Sequence, residues 1–345
     1  MKRILIAAGI GATALVGCGG GGGADAPAGA APMVSITTTN KGTVARATID
    51  GGQAIGGSQP FAATGRATAQ SVSSPQGASR VGALQSVVRR GLVAAFVPRP
   101  SATIASAMRA AATSASTEPC SVSGSITTAL SDADNSQSLS AGDSLNLTFN
   151  QCKDSADDVV NGAMSFTVGS VASAVEGNVK FSGSLAFVQV SSTSGTRSAN
   201  IQGSVGVAAA ITSTAFQMAL TVGGDALTVT SSASGYLDTI VYDPGMQLAV
   251  AETDGAVTQT EVTLNGSFTA SSIGGRVQVT TMQPLRQLGT DIYPSSGQVV
   301  VTGSASTHLR VTALNATQVQ LELDANGDGT YEGSGVFAWG TLATI

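Results

Sequence analysis

The run Asp324-Ala325-Asn326-Gly327-Asp328-Gly329 sets oxygen-bearing side chains at alternate positions and a glycine sixth. This is how the opening half of a calcium loop wraps a hard cation. Thr330 offers a carbonyl at the seventh position and Glu332 stands at the ninth, but the twelfth is Gly335, so the bidentate glutamate is missing. Strand-like runs flank the motif, so it reads as a calcium-binding hairpin or, from the same residues, as an Asx/Gly turn. Asp132, Asp134 and Ser136 repeat the alternation with Asp143 at position twelve, but Gln137 takes the glycine place, which makes this the weaker loop. Asp154, Asp157 and Asp158 read as a solvated turn. Acid–base chemistry has little to work with. His308 is the one histidine, in a strand-like run between Thr307 and Leu309, and a serine triad or histidine–zinc site would rest on it alone. No glycine-rich loop leads from a strand into a helix to cradle phosphate. The chain therefore reads as a non-enzyme, with calcium as its candidate cofactor.

The elements that must carry these loops are strands. From Cys120 onward the apolar residues recur with period two: Leu145, Leu147 and Phe149, then Val277 and Val279, Val299 and Val301, and Val319, Leu321 and Leu323. Turn signals stand at Gly223-Gly224-Asp225, Asp243-Pro244-Gly245, Asp254-Gly255, Gly274-Gly275 and Asn315-Ala316. Connections this short make neighbouring strands antiparallel, so about twelve strands in meander order are expected. A polar–Gly–small triplet recurs, as in Asn161-Gly162-Ala163, Gln202-Gly203-Ser204 and Asn265-Gly266-Ser267. Glycine in a strand marks a bulge or bend, and repeated bends curl a wide sheet. The expected fold is mainly β: a large curved antiparallel meander sheet or open barrel, with short N-terminal helices packed on its apolar face. A two-sheet sandwich is the rival.

Those helices are read from three stretches. Asn40 caps a short helix over Lys41–Ile49 that Gly51-Gly52 stops, although the β-branched content also fits a strand. Val81, Leu84, Val88, Leu92 and Phe96 form a helical stripe over residues 80–97, closed by Pro98 and Pro100. A second helix runs over residues 101–112, with Ser101 as cap and Ile104 and Met108 on one face. The stripe serves core packing or a membrane surface.

The extreme N-terminus carries an address. Lys2 and Arg3 precede an apolar run from Ile4 to Val16, which ends Leu15-Val16-Gly17-Cys18. This resembles the lipobox of bacterial lipoprotein signal peptides, which implies cleavage before Cys18 and acylation of that residue. The following Gly19 to Gly23 suit a flexible tether, and Gly19 in place of an aspartate implies the outer membrane. The division expected is a signal peptide at 1–17, the lipidated cysteine and tether at 18–79, an amphipathic helical segment at 80–119 and a β domain at 120–345. In an oxidising compartment the two remaining cysteines, Cys120 and Cys152, are expected to form a disulfide. Two free thiols or a metal pair lack supporting His or Cys nearby. Aromatic content of 4% argues against an integral barrel with aromatic girdles.

Charge is divided: ten Lys/Arg against three acids before residue 120, and six against eighteen from there on. An acidic domain does not attract nucleic acid. The segments Leu139-Ser-Ala-Gly-Asp143 with Leu145–Phe149 and Cys152, Tyr293–Gly297 leading into Val299–Gly303, and Leu321–Glu332 followed by Trp339 resemble a group of uncharacterised proteobacterial outer-membrane lipoproteins. The resemblance implies the β-rich fold and no activity. The expectation is a membrane-anchored, non-enzymatic protein that binds an apolar ligand, an envelope protein or a cell-wall polymer. A lipid- or lipoprotein-handling factor with an apolar cavity is the alternative, and an envelope hydrolase follows behind it.

Overall fold

The computed structural model describes residues 31–56 and 115–344, apart from 121, 137–139, 154–157, 176–177, 195–196, 213, 234–235, 254–256, 258, 290 and 292. Among these residues one α-helix, α1 (Lys41–Gly56), precedes sixteen strands. They are β1 (Ser116–Pro119), β2 (Ser123–Ser131), β3 (Ser144–Lys153), β4 (Asp158–Val175), β5 (Asn178–Ser194), β6 (Arg197–Thr212), β7 (Ala215–Val222) and β8 (Leu227–Ala233). Then come β9 (Tyr236–Tyr242), β10 (Gln247–Thr253), β11 (Gln259–Ala270), β12 (Gly275–Leu288), β13 (Ser296–Thr302), β14 (His308–Asn315), β15 (Gln318–Asp324) and β16 (Gly333–Ala338). All belong to one antiparallel sheet, with β1 and β16 at its ends. The sandwich is thereby set aside.

The register corrects two of the expected turns. Along one edge of β6, Arg197–Gln202 pairs with β8 and Val205–Ile211 with β7. Because β7 and β8 both run antiparallel to β6, the chain does not reverse at Gly223-Gly224-Asp225. The same holds at Asp243-Pro244-Gly245, since β9 answers β8 and β10 answers β7. The two interruptions lie side by side, joined by the amide of Gly245 to the carbonyl of Val222 (2.9 Å) and the amide of Val222 to the carbonyl of Met246 (2.9 Å). Sixteen strands thus fill fourteen rows of a simple meander.

A line of irregularities crosses the long strands. β3 bulges between Phe149 and Cys152, and β5 between Phe187 and Val190. Each extra residue shifts the side-chain phase by one. The buried set therefore passes from Leu145, Leu147 and Phe149 to Cys152, and from Leu185 and Phe187 to Val190. The strands between answer with glycine. Gly162 has φ 108°, and a Cβ there would collide with the carbonyl oxygen of Gln189. Gly203, at φ 124°, faces the carbonyl of Ala226 at the β7–β8 interruption. The recurring triplet of the sequence is the trace of this line.

α1 packs against β10, β11, β14 and β15 and against the C-terminal 3-10 helix (Trp339–Thr344), so the sheet wraps around it. Its start after Asn40 is as expected, but Asn40 does not cap it forwards. Its side chain instead accepts the Thr37 amide (2.8 Å) and donates to the Ser35 carbonyl (2.9 Å). Gly51-Gly52 does not stop the helix either. The Tyr242 hydroxyl donates to the Gly51 carbonyl (2.8 Å), and a Cβ on Gly52 would lie 2.8 Å from Leu264 Cδ1. With four glycines and several β-branched residues, α1 is a poor helix by propensity, and tertiary burial holds it. Val44, Ala45, Ala47 and Ile49 are buried, and Arg46 and Asp50 are buried among them as an ion pair, Nε to carboxylate oxygen 2.8 Å, each side chain 7% exposed.

The segment leading into α1 is stitched to the sheet. The Val34 amide donates to the Arg276 carbonyl (2.9 Å), the Ser304 amide to the Val34 carbonyl (2.8 Å), and the Ile36 amide to Thr307 Oγ1 (3.2 Å). Residues 31–56 are thus part of the β unit and not tether. Of the expected helical segment 80–119, residues 116–119 form strand β1. Residues 80–114, the tether at 18–30 and 57–79, the leader at 1–17 and Cys18 lie outside the described residues.

Candidate metal centre

Asp324 ends β15 and is fully buried (0% exposed), directly across from His308 on β14. Its two carboxylate oxygens accept the amides of Gly327 (2.7 Å) and Gly329 (2.9 Å), which curls the loop around it. Asp328 accepts the Thr330 amide (2.7 Å), and that bond holds its carboxyl below the usual range. Asn326 Oδ1 accepts the Asp328 amide (2.9 Å), and Glu332 reaches back to accept the Ala325 amide (3.1 Å). Oxygens of Asp324, Asp328 and Glu332 gather within 4.8 Å of one another. Each carboxylate oxygen keeps a second lone pair beyond its bond to an amide. The donor set is all oxygen and anionic, the chemistry of calcium or magnesium and not of a softer metal. Thr330 contributes its amide to Asp328. Gly335, the missing twelfth position, pairs with Leu321 inside the sheet.

The β2–β3 loop gathers Asp132, Asp134 and Asp143 within the same 4.8 Å. Asp143 is buried and accepts the amides of Ala133 (2.9 Å) and Ser140 (2.7 Å). The Ser136 amide donates to Asp132 (3.2 Å) and Asp134 (3.0 Å). Hydrogen bonds from Ser136 and then Ser140 draw the Asp134 carboxyl down to about 2. Gln137 lies outside the described residues. Turns of a meander alternate between the two ends of the strands, so this loop and the β15–β16 loop stand at opposite ends of the sheet.

Cys120 and Cys152 are joined, with Cα atoms 5.5 Å apart. The β3 bulge makes the bond reachable, because it turns Cys152 inward while the Cys120 amide is held by the Gly124 carbonyl (3.1 Å). His308 Nδ1 lies 3.2 Å from Thr302 Oγ1, and its cross-strand neighbours bring it no thiol. Beside it, Arg310 grips both oxygens of Glu322 (2.7 and 2.9 Å) and lies over the Tyr331 ring at 4.1 Å. Asp154 and Asp157 lie outside the described residues.

Sequence reasoning missed two buried polar sites. Asp238 accepts both hydroxyls and one amide of Ser271-Ser272 (2.7–3.0 Å), pinning the turn before Gly274-Gly275. Only that serine pair ahead of a glycine pair signals it. Glu252, Thr260 and Gln287 form a buried cross-strand row on β10, β11 and β12, and no local motif announces it. No helix among the described residues is long and apolar enough to cross a membrane. No protein family, curated protein or solved structure matches the chain.

Proposed function

We propose that this chain is a lipid-anchored lipoprotein of the outer membrane with a non-enzymatic binding or structural role in the cell envelope, its β15–β16 loop binding calcium. The observation that carries the role is the occupancy of the wrapped sheet. α1 fills the apolar side against β10, β11, β14 and β15, and the 3-10 helix, with Trp339 and Leu342 buried, packs on α1 and β16. The face turned outward on these strands carries Gln, Thr, Ser, Arg and Glu, suited to an envelope protein or a cell-wall polymer. A lipid-handling factor needs that apolar side open, so the filled interior favours the first reading. A hydrolase needs a carboxylate to orient its base as well as a nucleophile; Thr302 Oγ1 lies 3.2 Å from His308, but Asp324, the acid across from it, turns both oxygens to the Gly327 and Gly329 amides. The anchor rests on Leu15–Cys18 and its glycine tract.

Palmitate-analogue labelling of cells tests the anchor. The wild-type chain takes the label and partitions with outer membranes, and Cys18→Ser moves to the soluble periplasmic fraction. Retention of an unlabelled chain in the membrane overturns the lipoprotein reading. Capture of envelope components by the Cys18→Ser chain then identifies the partner.

A further inference from the structure

The two ends of the sheet are built differently. β1 is four residues long, carries Glu118 and closes on Pro119. A short strand with a charge and a proline is how an exposed edge is guarded against further pairing. β16 carries none of these devices. Its sequence is Gly333-Ser-Gly-Val-Phe-Ala338, six residues without charge, proline or bulge, in unbroken register with β15. Its far edge has no backbone partner among the described residues. Val336 stands 55% exposed on it, with Ser334 and Ala338 exposed on the same face.

We propose that β16 is a self-association edge, where a second copy of this chain adds its own β16 antiparallel across a two-fold axis. Such an axis keeps each face of the sheet continuous, so residues opposite one another must share a face. The register that centres on Val336 meets this condition and buries the exposed valine against its own copy. Ser334 then faces Ala338, and Gly335 faces Phe337.

Charge selects the second copy, and the antiparallel sense, as the occupant. The acidic loop with Asp328 and Glu332 lies at the Gly333 end of β16, whereas Lys41 lies over the Phe337 ring near the other end (5.4 Å). Antiparallel pairing sets Phe337 of one copy opposite Gly335 of the other, three residues from Glu332. Lys41 of each copy thereby approaches the acidic loop of the other, twice by symmetry. Parallel pairing would instead set acidic loop beside acidic loop.

The test uses the chain with Cys18→Ser, so that neither the anchor nor a free thiol contributes. Light scattering on a sizing column is expected to give twice the chain mass at tens of micromolar. Val336→Lys sets like charges opposite each other; it weakens the dimer about tenfold or more while circular dichroism and the Cys120–Cys152 bond stay as in the parent. Val336→Cys cross-links to a dimer on a non-reducing gel, and Ser334→Cys does not. A parent chain that stays monomeric overturns the proposal. So does a dimer that survives Val336→Lys, or one in which Val336→Cys fails to cross-link.

Discussion

Asp50→Ala is the sharpest test of the helix inside the sheet. Arg46 Nε lies 2.8 Å from both oxygens of Asp50, and both side chains are buried within α1's contact with the strands. Removing one partner of a buried ion pair costs about 3–5 kcal/mol, because the remaining charge loses its nearest counter-charge away from water. For a unit of this size, 1 kcal/mol moves the melting midpoint by about 2–4 °C, so a fall of about 6–20 °C is expected. The double variant Arg46→Met/Asp50→Leu removes both charges while keeping apolar volume. It should recover most of the loss, because replacing a buried pair with apolar groups is near neutral or stabilising. Thermal melts and urea titrations of wild type, Arg46→Met, Asp50→Leu and the double variant close the cycle and give the coupling directly. A loss below about 1 kcal/mol for Asp50→Ala is the size of an exposed pair. It would refute the burial of α1, and with it the filled interior on which the proposed role depends.

Three further outcomes follow from other sites. Replacing both Cys120 and Cys152 by serine opens a loop with a sequence separation of 32 and should lower stability by about 3–4 kcal/mol in the chain-entropy view, read as a lower urea midpoint. Calcium at about ten times a dissociation constant of ~10⁻⁴–10⁻³ M should raise the melting midpoint by about 2–6 °C over chelator. Asp328→Asn, which keeps an acceptor for the Thr330 amide, should erase that difference, and an equal melt with and without calcium in wild type would show the loop to be a turn alone. Tyr242 is raised well above the ordinary tyrosine range by burial and by the nearby carboxylates of Asp238 and Asp50. Its contribution to stability is complete below about pH 10, the unfolded value, and is lost as pH rises beyond that. Absorbance near 295 nm should show one of the four tyrosines ionising only as the fold is lost.

Much of the sheet was legible because one face of each strand is buried and the other is wet, which imprints period two on Leu145–Phe149 and Val319–Leu323. The acidic loops were legible for a similar reason, since a tight turn and a cation loop draw on the same short-range residue types. What escaped was set at long range. Asp243-Pro244-Gly245 has the composition of a reversal, and only the neighbouring rows decide that the chain runs straight on. The bulges at Gln151 and Gln189 slip the phase by one residue, so Cys152 and Val190 look misplaced in an alternating pattern. α1 hides best of all. Ten of its sixteen residues are polar or glycine, and its burial is decided by Tyr242, Leu264 and Trp339, none of them near it in sequence. Asn40 and Gly51-Gly52 carried the right local signals, but the helix took its start from a turn behind it and passed the glycines because aromatic and aliphatic neighbours fill the space they leave.

The meander has a consequence for the order of folding. Each row finds its neighbour next to it in the chain, so the sheet can grow row by row as residues become available, closing only short loops at each step. α1 is the exception: it is the first described element to emerge, and the strands that enclose it, β10, β11, β14 and β15, are among the last. This helix must therefore wait, polar groups and all, until 268 residues, to the end of β15 at Asp324, have followed it. Its low intrinsic helicity then has a use, because a segment that does not fold early offers no competing structure while the sheet assembles around the place it will fill.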